Sequence, residues 1–350
     1  MDDDKKKVRA AVRRESAENS LLISLVSFGV TVIAVRVFLQ LTGFPQIGNS
    51  VLHIAHALWG ALAMFIAVLL PLAYANRWAL ETSALLSGIG IGLFIDEVGK
   101  FITHSNDYFF PPALALIYGF FLIVVFIYLH FRRPDEKEPR TAMYQVLEGL
   151  QDAVDGDLDT AEAARIKTKL AIARLSNKSQ IATLAEAISH YLKQEEETLL
   201  PAKPDRWRKV SQWVDETGQK LGRKSHRNVI SVLLVLWVIF AFVYIAILAS
   251  GVPSLDSQIV QWRGLLIAIQ VAIGGLMIGA AIKWFTGNEL SGLRFAVLGS
   301  LVSLIALQTL YFYLSQFAAL TNALFQLAFL LFLLAYRRWY LSEPVGQEEQ

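Results

Sequence analysis

Apolar runs of about twenty residues recur along the chain at 20–41, 51–75, 82–103, 110–131, 228–250, 259–284, 292–314 and 317–338. Each is long enough to cross the hydrocarbon core of a bilayer as a helix. Between the fourth and fifth runs the pattern changes. Residues 134–227 are polar, with apolar positions at helical spacing in 141–154 (Tyr144, Leu147, Leu150, Val154), 160–175 and 179–200. Pro201 and Pro204 then break the periodicity before an amphipathic stretch, 205–221, that carries Trp207 and Trp213. The expected fold is therefore all-α: a polytopic membrane protein of about eight transmembrane helices, arranged 4+4, with a small cytoplasmic helical domain between the halves.

The basic residues orient this layout. Lys5, Lys6, Lys7, Arg9, Arg13 and Arg14 crowd the N-terminus, and further clusters fall in 132–140, in 220–227 and at Arg337-Arg338. Arg77, Lys283 and Arg294 mark the short turns on the same side, whereas the alternate loops near 42–50, 105–111, 251–258 and 315–318 carry no Lys or Arg. The positive-inside rule then assigns both termini and the central segment to the cytoplasm of a multi-pass cell-membrane protein. Expected divisions are a basic tail (1–19), a first membrane half (20–133), the cytoplasmic domain (134–227), a second membrane half (228–340) and a short tail (341–350). The first run is too long for a signal-peptide core and reads as an uncleaved anchor.

Composition narrows the chemistry. Hydrophobic residues make up 55% of the 350 and the net charge is +2, which fits a chain whose first partner is the lipid bilayer; no nucleic-acid partner is expected. The absence of cysteine excludes disulfides, thiolate metal sites and cysteine nucleophiles.

Against this background the third run stands out, because Gly88-Ile-Gly-Ile-Gly-Leu-Phe-Ile-Asp96-Glu97-Val-Gly99-Lys100 places three charges inside an apolar span. Ionised side chains within a membrane face the bundle interior, pair with one another and mark a site or pathway. In a continuous helix Lys100 falls one turn after Asp96 and Glu97 and can reach either. Gly88, Gly92, Asp96 and Gly99 share a small-residue face suited to close helix packing, with Glu97 beside it and His104 two turns on. Other spans add polar groups at similar depth. Arg36 stands near the outer end of the first, where it can snorkel outward or turn toward the carboxylates. His53 and His56 open the second on one face with Gly60, Ala63 and Ala67. At 1.5 Å per residue, His56 and Glu97 both fall about 7–9 Å below the outer surface.

Arg36, His53, His56, Asp96, Glu97 and Lys100 are thus the candidate ligand- or proton-binding residues. His53, His56 and Glu97 are candidate ligands of a divalent metal, with Asp96 or His104 able to complete the set. Three functional classes remain open: transport or binding of an ion, proton or small charged solute; a membrane-embedded metal-dependent enzyme acting on a lipid or lipid-linked substrate; and a signalling or scaffold protein that recruits a cytoplasmic partner through 134–227. Asp155-Gly156-Asp157-Leu158-Asp159 opens like a calcium loop but has Ile166 where the twelfth-position glutamate belongs, so helix capping by Asp157 or Asp159 is expected instead. In the second half, Arg263, Gln270, Gln308, Tyr311, Tyr313 and Gln316 are the polar residues, fit either to line a wet vestibule or to anchor span ends. Short matches between the halves, such as His56–Leu62 with Gln270–Leu276, suggest a parallel duplication.

Overall fold

Lipid leaves backbone polar groups no partner but the chain itself, so apolar runs of this length resolve into helices. The computed structural model describes residues 11–43, 55–108, 110–131, 138–194, 199–201, 216, 218, 220, 222–250, 257–314 and 316–341. Among these residues the structure is all-helical, and eight helices are long and apolar enough to cross a membrane. An isolated β-bridge joins Asp159 to Leu200. The chain divides into two compact units, 1–98 with 123–205 and 99–122 with 206–350.

In the first unit, α1 (Ala17–Thr42), α2 (His56–Ala73) and α3 (Arg77–Asp96) form a layer with α3 in the middle. Glycine sets the spacing on both sides of α3. A Cβ on Gly90 would lie 2.7 Å from the carbonyl oxygen of Gly60, and one on Gly60 would lie equally close to the carbonyl of Gly90, so these two backbones touch. Toward α1, a Cβ on Gly88 would strike the Ser27 hydroxyl and the Ser24 carbonyl, while one on Gly92 would sit 2.8 Å from Thr31 Cβ. The paired positions advance together between α1 and α3 and in opposition between α2 and α3. Hence α1 runs parallel to α3, α2 runs antiparallel to it, and the small-residue faces expected from sequence are the packing faces.

The predicted third span is not one helix. It ends at Asp96; Glu97 takes φ −91°, ψ 8° and turns its N–H to Phe94, and a separate short helix, α4 (Val98–Ile102), follows. No proline forces this break. Next to it the Arg36 guanidinium hydrogen-bonds the backbone carbonyl of Asp96 at 3.3 Å, and Gly99 packs on the carbonyls of Asp107 and Tyr108. Lys100 thus lies on α4, and His104 in the turn after it.

α5 (Pro111–Phe131) begins at the paired prolines, as expected of residues that suit a first turn. The polar segment then folds into α6 (Pro139–Val154), α7 (Thr160–Arg174) and α8 (Ser179–Gln194), packed around Val146, Ile166, Leu170, Ala173 and Leu192. Asp159 caps α7: its carboxylate accepts from the N–H groups of Ala161 and Glu162, and the Glu162 side chain returns the bond to the Asp159 N–H at 3.3 Å. Ion pairs tie these helices to the membrane layer of the same unit, with Arg77 3.0 Å from both Asp152 and Glu162, and Lys169 3.1 Å from Glu15. The expected 205–221 helix lies almost wholly outside the described residues, Trp207 and Trp213 included.

The second unit contains α9 (Gly222–Ser250), α10 (Ser257–Phe285), α11 (Glu289–Val302), a π-helical turn (Ser303–Leu307), α12 (Gln308–Leu314) and α13 (Gln316–Tyr340). Leu234, Leu266, Met277, Trp284, Leu333 and Tyr336 are buried in its core. The indole N–H of Trp284 donates to the Ser231 hydroxyl at 2.9 Å. A π turn inserts an extra residue into the helix, and the Tyr118 hydroxyl donates to the Leu304 carbonyl within it at 2.7 Å.

Candidate functional site

The end of α3 is where the polar residues of the first unit meet. Asp96, the last residue of α3, reaches both α1 and α2, and Glu97, in the turn that follows, reaches α2. The parallel register of α1 carries Arg36 to the level of Asp96, and the antiparallel register of α2 carries His56 to the same level. Arg36 Nε donates to Asp96 Oδ1 at 2.6 Å. His56 bridges the two carboxylates, its Nε2 3.2 Å from Asp96 Oδ2 and its Nδ1 3.1 Å from Glu97 Oε1.

Burial decides between the two readings of Arg36. It is 8% exposed, Asp96 0% and Glu97 1%, so the arginine turns inward and does not snorkel. The His56 side chain keeps 23% of its surface open, making it the member of the group in contact with the surroundings.

The chemistry follows from proton counting. An ionised carboxylate can only accept hydrogen bonds, and a neutral imidazole has one N–H. An imidazole whose two nitrogens both face carboxylate oxygens therefore carries two protons, or one of the carboxylates is protonated. Taken by themselves, Arg36 and Asp96 cancel, while His56 and Glu97 cancel when one proton lies on either of them. The geometry sets His56 between Asp96 and Glu97, with the Arg36 guanidinium on the other oxygen of Asp96.

The other expected members stand differently. Lys100 is on α4, its ammonium 5.4 Å from the ring centroid of Tyr108. His104 lies exposed in the turn after α4. His53 lies outside the described residues, and the metal set His53, His56 and Glu97 cannot be assembled from those that are described. Among the described residues no group of three His, Cys, Asp or Glu side chains is arranged to hold a metal ion.

Two further polar groups lie in the second unit, and of their members the sequence reading singled out Gln270 and Gln308. Glu289 opens α11 and gathers Arg223 at 2.9 Å, Arg227 at 3.2 Å and the Tyr336 hydroxyl at 3.0 Å. An acid in the first turn of a span next to a basic stretch was the available signal. Gln270, Ser300, Ser303, Gln308 and Gln326 are all buried. Oε1 of Gln270, Gln308 and Gln326 and Oγ of Ser303 have no hydrogen-bond partner among the described residues, although Gln308 donates to the Ala319 carbonyl and Gln326 to Asn322. Gln270 and Gln308 are visible in the sequence as polar residues inside apolar runs, but Ser303 and Gln326 gain meaning only from the π turn and the face of α13 that packs on it. No protein-family model, curated protein or solved structure matches the chain, which leaves its own geometry as the guide to what it does.

Proposed function

We propose that this is a multi-pass cell-membrane protein that binds and passes a proton, or an ion or small charged solute coupled to one, through the Arg36–Asp96–His56–Glu97 cluster. The observation that carries the reading is a partly exposed imidazole set between two buried carboxylates, one of them anchored by an arginine. Histidine exchanges protons near neutral pH, and intramembrane carboxylates and histidines in series are the usual parts of proton relays. A purely structural pair has no need of the second carboxylate or of the opening at His56. The end of α3 at this cluster also favours transport, since interrupted membrane helices are how binding sites are placed at membrane depth.

With the basic residues gathered on one side, the cluster belongs to the outer half of the bilayer, and both termini and α6–α8 lie in the cytoplasm. The chain is then a 4+4 arrangement around a cytoplasmic helical domain, whose exposed surfaces are available to a protein partner.

Reconstitution of the full chain into vesicles, with a pH-sensitive dye trapped inside and an imposed pH gradient, tests this. The wild type is expected to equilibrate the gradient, Glu97→Gln and His56→Phe to slow it at least tenfold, and His104→Ala to leave it unchanged. Equal rates in the wild type and Glu97→Gln would overturn the proposal.

A further inference from the structure

A cavity of about 470 Å³ in the first unit is lined chiefly by Arg13, Arg14, Arg140, Tyr144, Leu147 and Glu148. It lies where two spans end: the Arg13 side chain donates to the carbonyl of Phe131, the last residue of α5, and α1 starts at Ala17, a few residues on. Three arginines and one carboxylate line it, and the carboxylate is held by the segment before α1. Glu148 Oε2 accepts from the Glu15 N–H at 2.9 Å, and Oε1 accepts from the Ser16 hydroxyl. Arg140 lies 5.4 Å from the ring centroid of Tyr144, which holds its planar group beside the opening.

The apolar side of the cavity points to the source of the anion. Tyr144 is 55% exposed and Leu147 46% exposed, and three-residue spacing puts both on one face of α6. Inorganic phosphate has no use for an open ring and an open leucine next to its binding arginines. A phospholipid uses both halves, its phosphate taken by guanidinium forks and its glycerol backbone and first methylenes by the apolar pair.

We propose that this cavity binds the headgroup of an anionic phospholipid, and that α6 thereby lies against the membrane surface. Basic residues at the end of a span meet anionic headgroups at high local concentration, each arginine strengthening binding about fivefold. Arg13 also holds the end of α5, so the informative variant is Arg14→Gln with Arg140→Gln, which leaves that bond in place.

Binding to the full chain in neutral detergent is measured with short-chain phosphatidylglycerol, short-chain phosphatidylcholine and inorganic phosphate as separate probes. Phosphatidylglycerol is expected to bind at least tenfold more tightly than either of the others. The double variant should weaken it about 25-fold, and a control that removes the same charge elsewhere, Arg165→Gln with Arg174→Gln, less than threefold. Leu147→Ser is expected to weaken phosphatidylglycerol without changing phosphate. Equal affinity for the two lipids, equal affinity for phosphatidylglycerol and phosphate, or an equal loss in the control would each overturn the proposal.

Discussion

Replacing Arg36 by Met tests whether the cluster is held together by charge. The substitution keeps most of the side chain's length and apolar stem but leaves Asp96, which is 0% exposed, without its guanidinium. At the 2.6 Å separation of Arg36 Nε and Asp96 Oδ1, opposite charges attract by about 6 kcal/mol at an effective dielectric of about 20, and desolvation of both ions takes back much of that. The single variant keeps the penalty without the attraction, and breaking a buried pair in this way costs about 3–5 kcal/mol. His56 still reaches the other oxygen of Asp96 at 3.2 Å, which places the expected loss at the lower end, about 3 kcal/mol. Asp96→Asn in the same background removes the stranded charge. The double variant is therefore expected to recover most of the loss, with a coupling energy of about 2 kcal/mol or more. Reversible unfolding in mixed micelles over the four members of the cycle measures this. A coupling below about 0.5 kcal/mol would show that the two charges do not stabilise one another and would refute the electrostatic account of the cluster.

Gly90→Ala is expected to force α2 and α3 apart, because the new Cβ would meet the Gly60 carbonyl at 2.7 Å. The expected loss is about 1–3 kcal/mol together with loss of proton flux, while Gly119→Ala, with nothing within 4 Å of its Cβ, should change stability by no more than about 0.5 kcal/mol. Arg77→Ala removes the ion pairs to Asp152 and Glu162 and is expected to loosen α6 and α7 by about 1 kcal/mol, read as faster amide exchange there; an effect that does not shrink in 1 M salt would contradict an ionic tether. Because the chain has no cysteine, His104→Cys and Asn177→Cys each give one label site. An impermeant maleimide is expected to reach the first only from outside the cell and the second only in inverted vesicles; reaction of both from one side would refute the proposed topology.

What the sequence determined by itself is what depends on local pattern. Apolar runs of span length require helices in lipid, so eight spanning helices could be read directly. The spacing of Tyr144, Leu147, Leu150 and Val154 marked α6, and Asp159 three residues before Glu162 marked the cap of α7. The similar depth of Arg36, His56, Asp96 and Glu97 was legible from helical rise and alternating direction, though not whether Arg36 turns toward the carboxylates. Tertiary structure decided the rest. That Arg36 turns inward and that His56 spans two carboxylates depend on backbone contact at Gly60, Gly88, Gly90 and Gly92, which sets the register of three helices, and the end of α3 at Asp96 shows only in the backbone. The grip of Arg77 on Asp152 and Glu162 and the buried glutamines around the π turn likewise depend on which face meets which neighbour. Periodicity assigns a side chain to a face and a depth; only close packing between helices selects its partner.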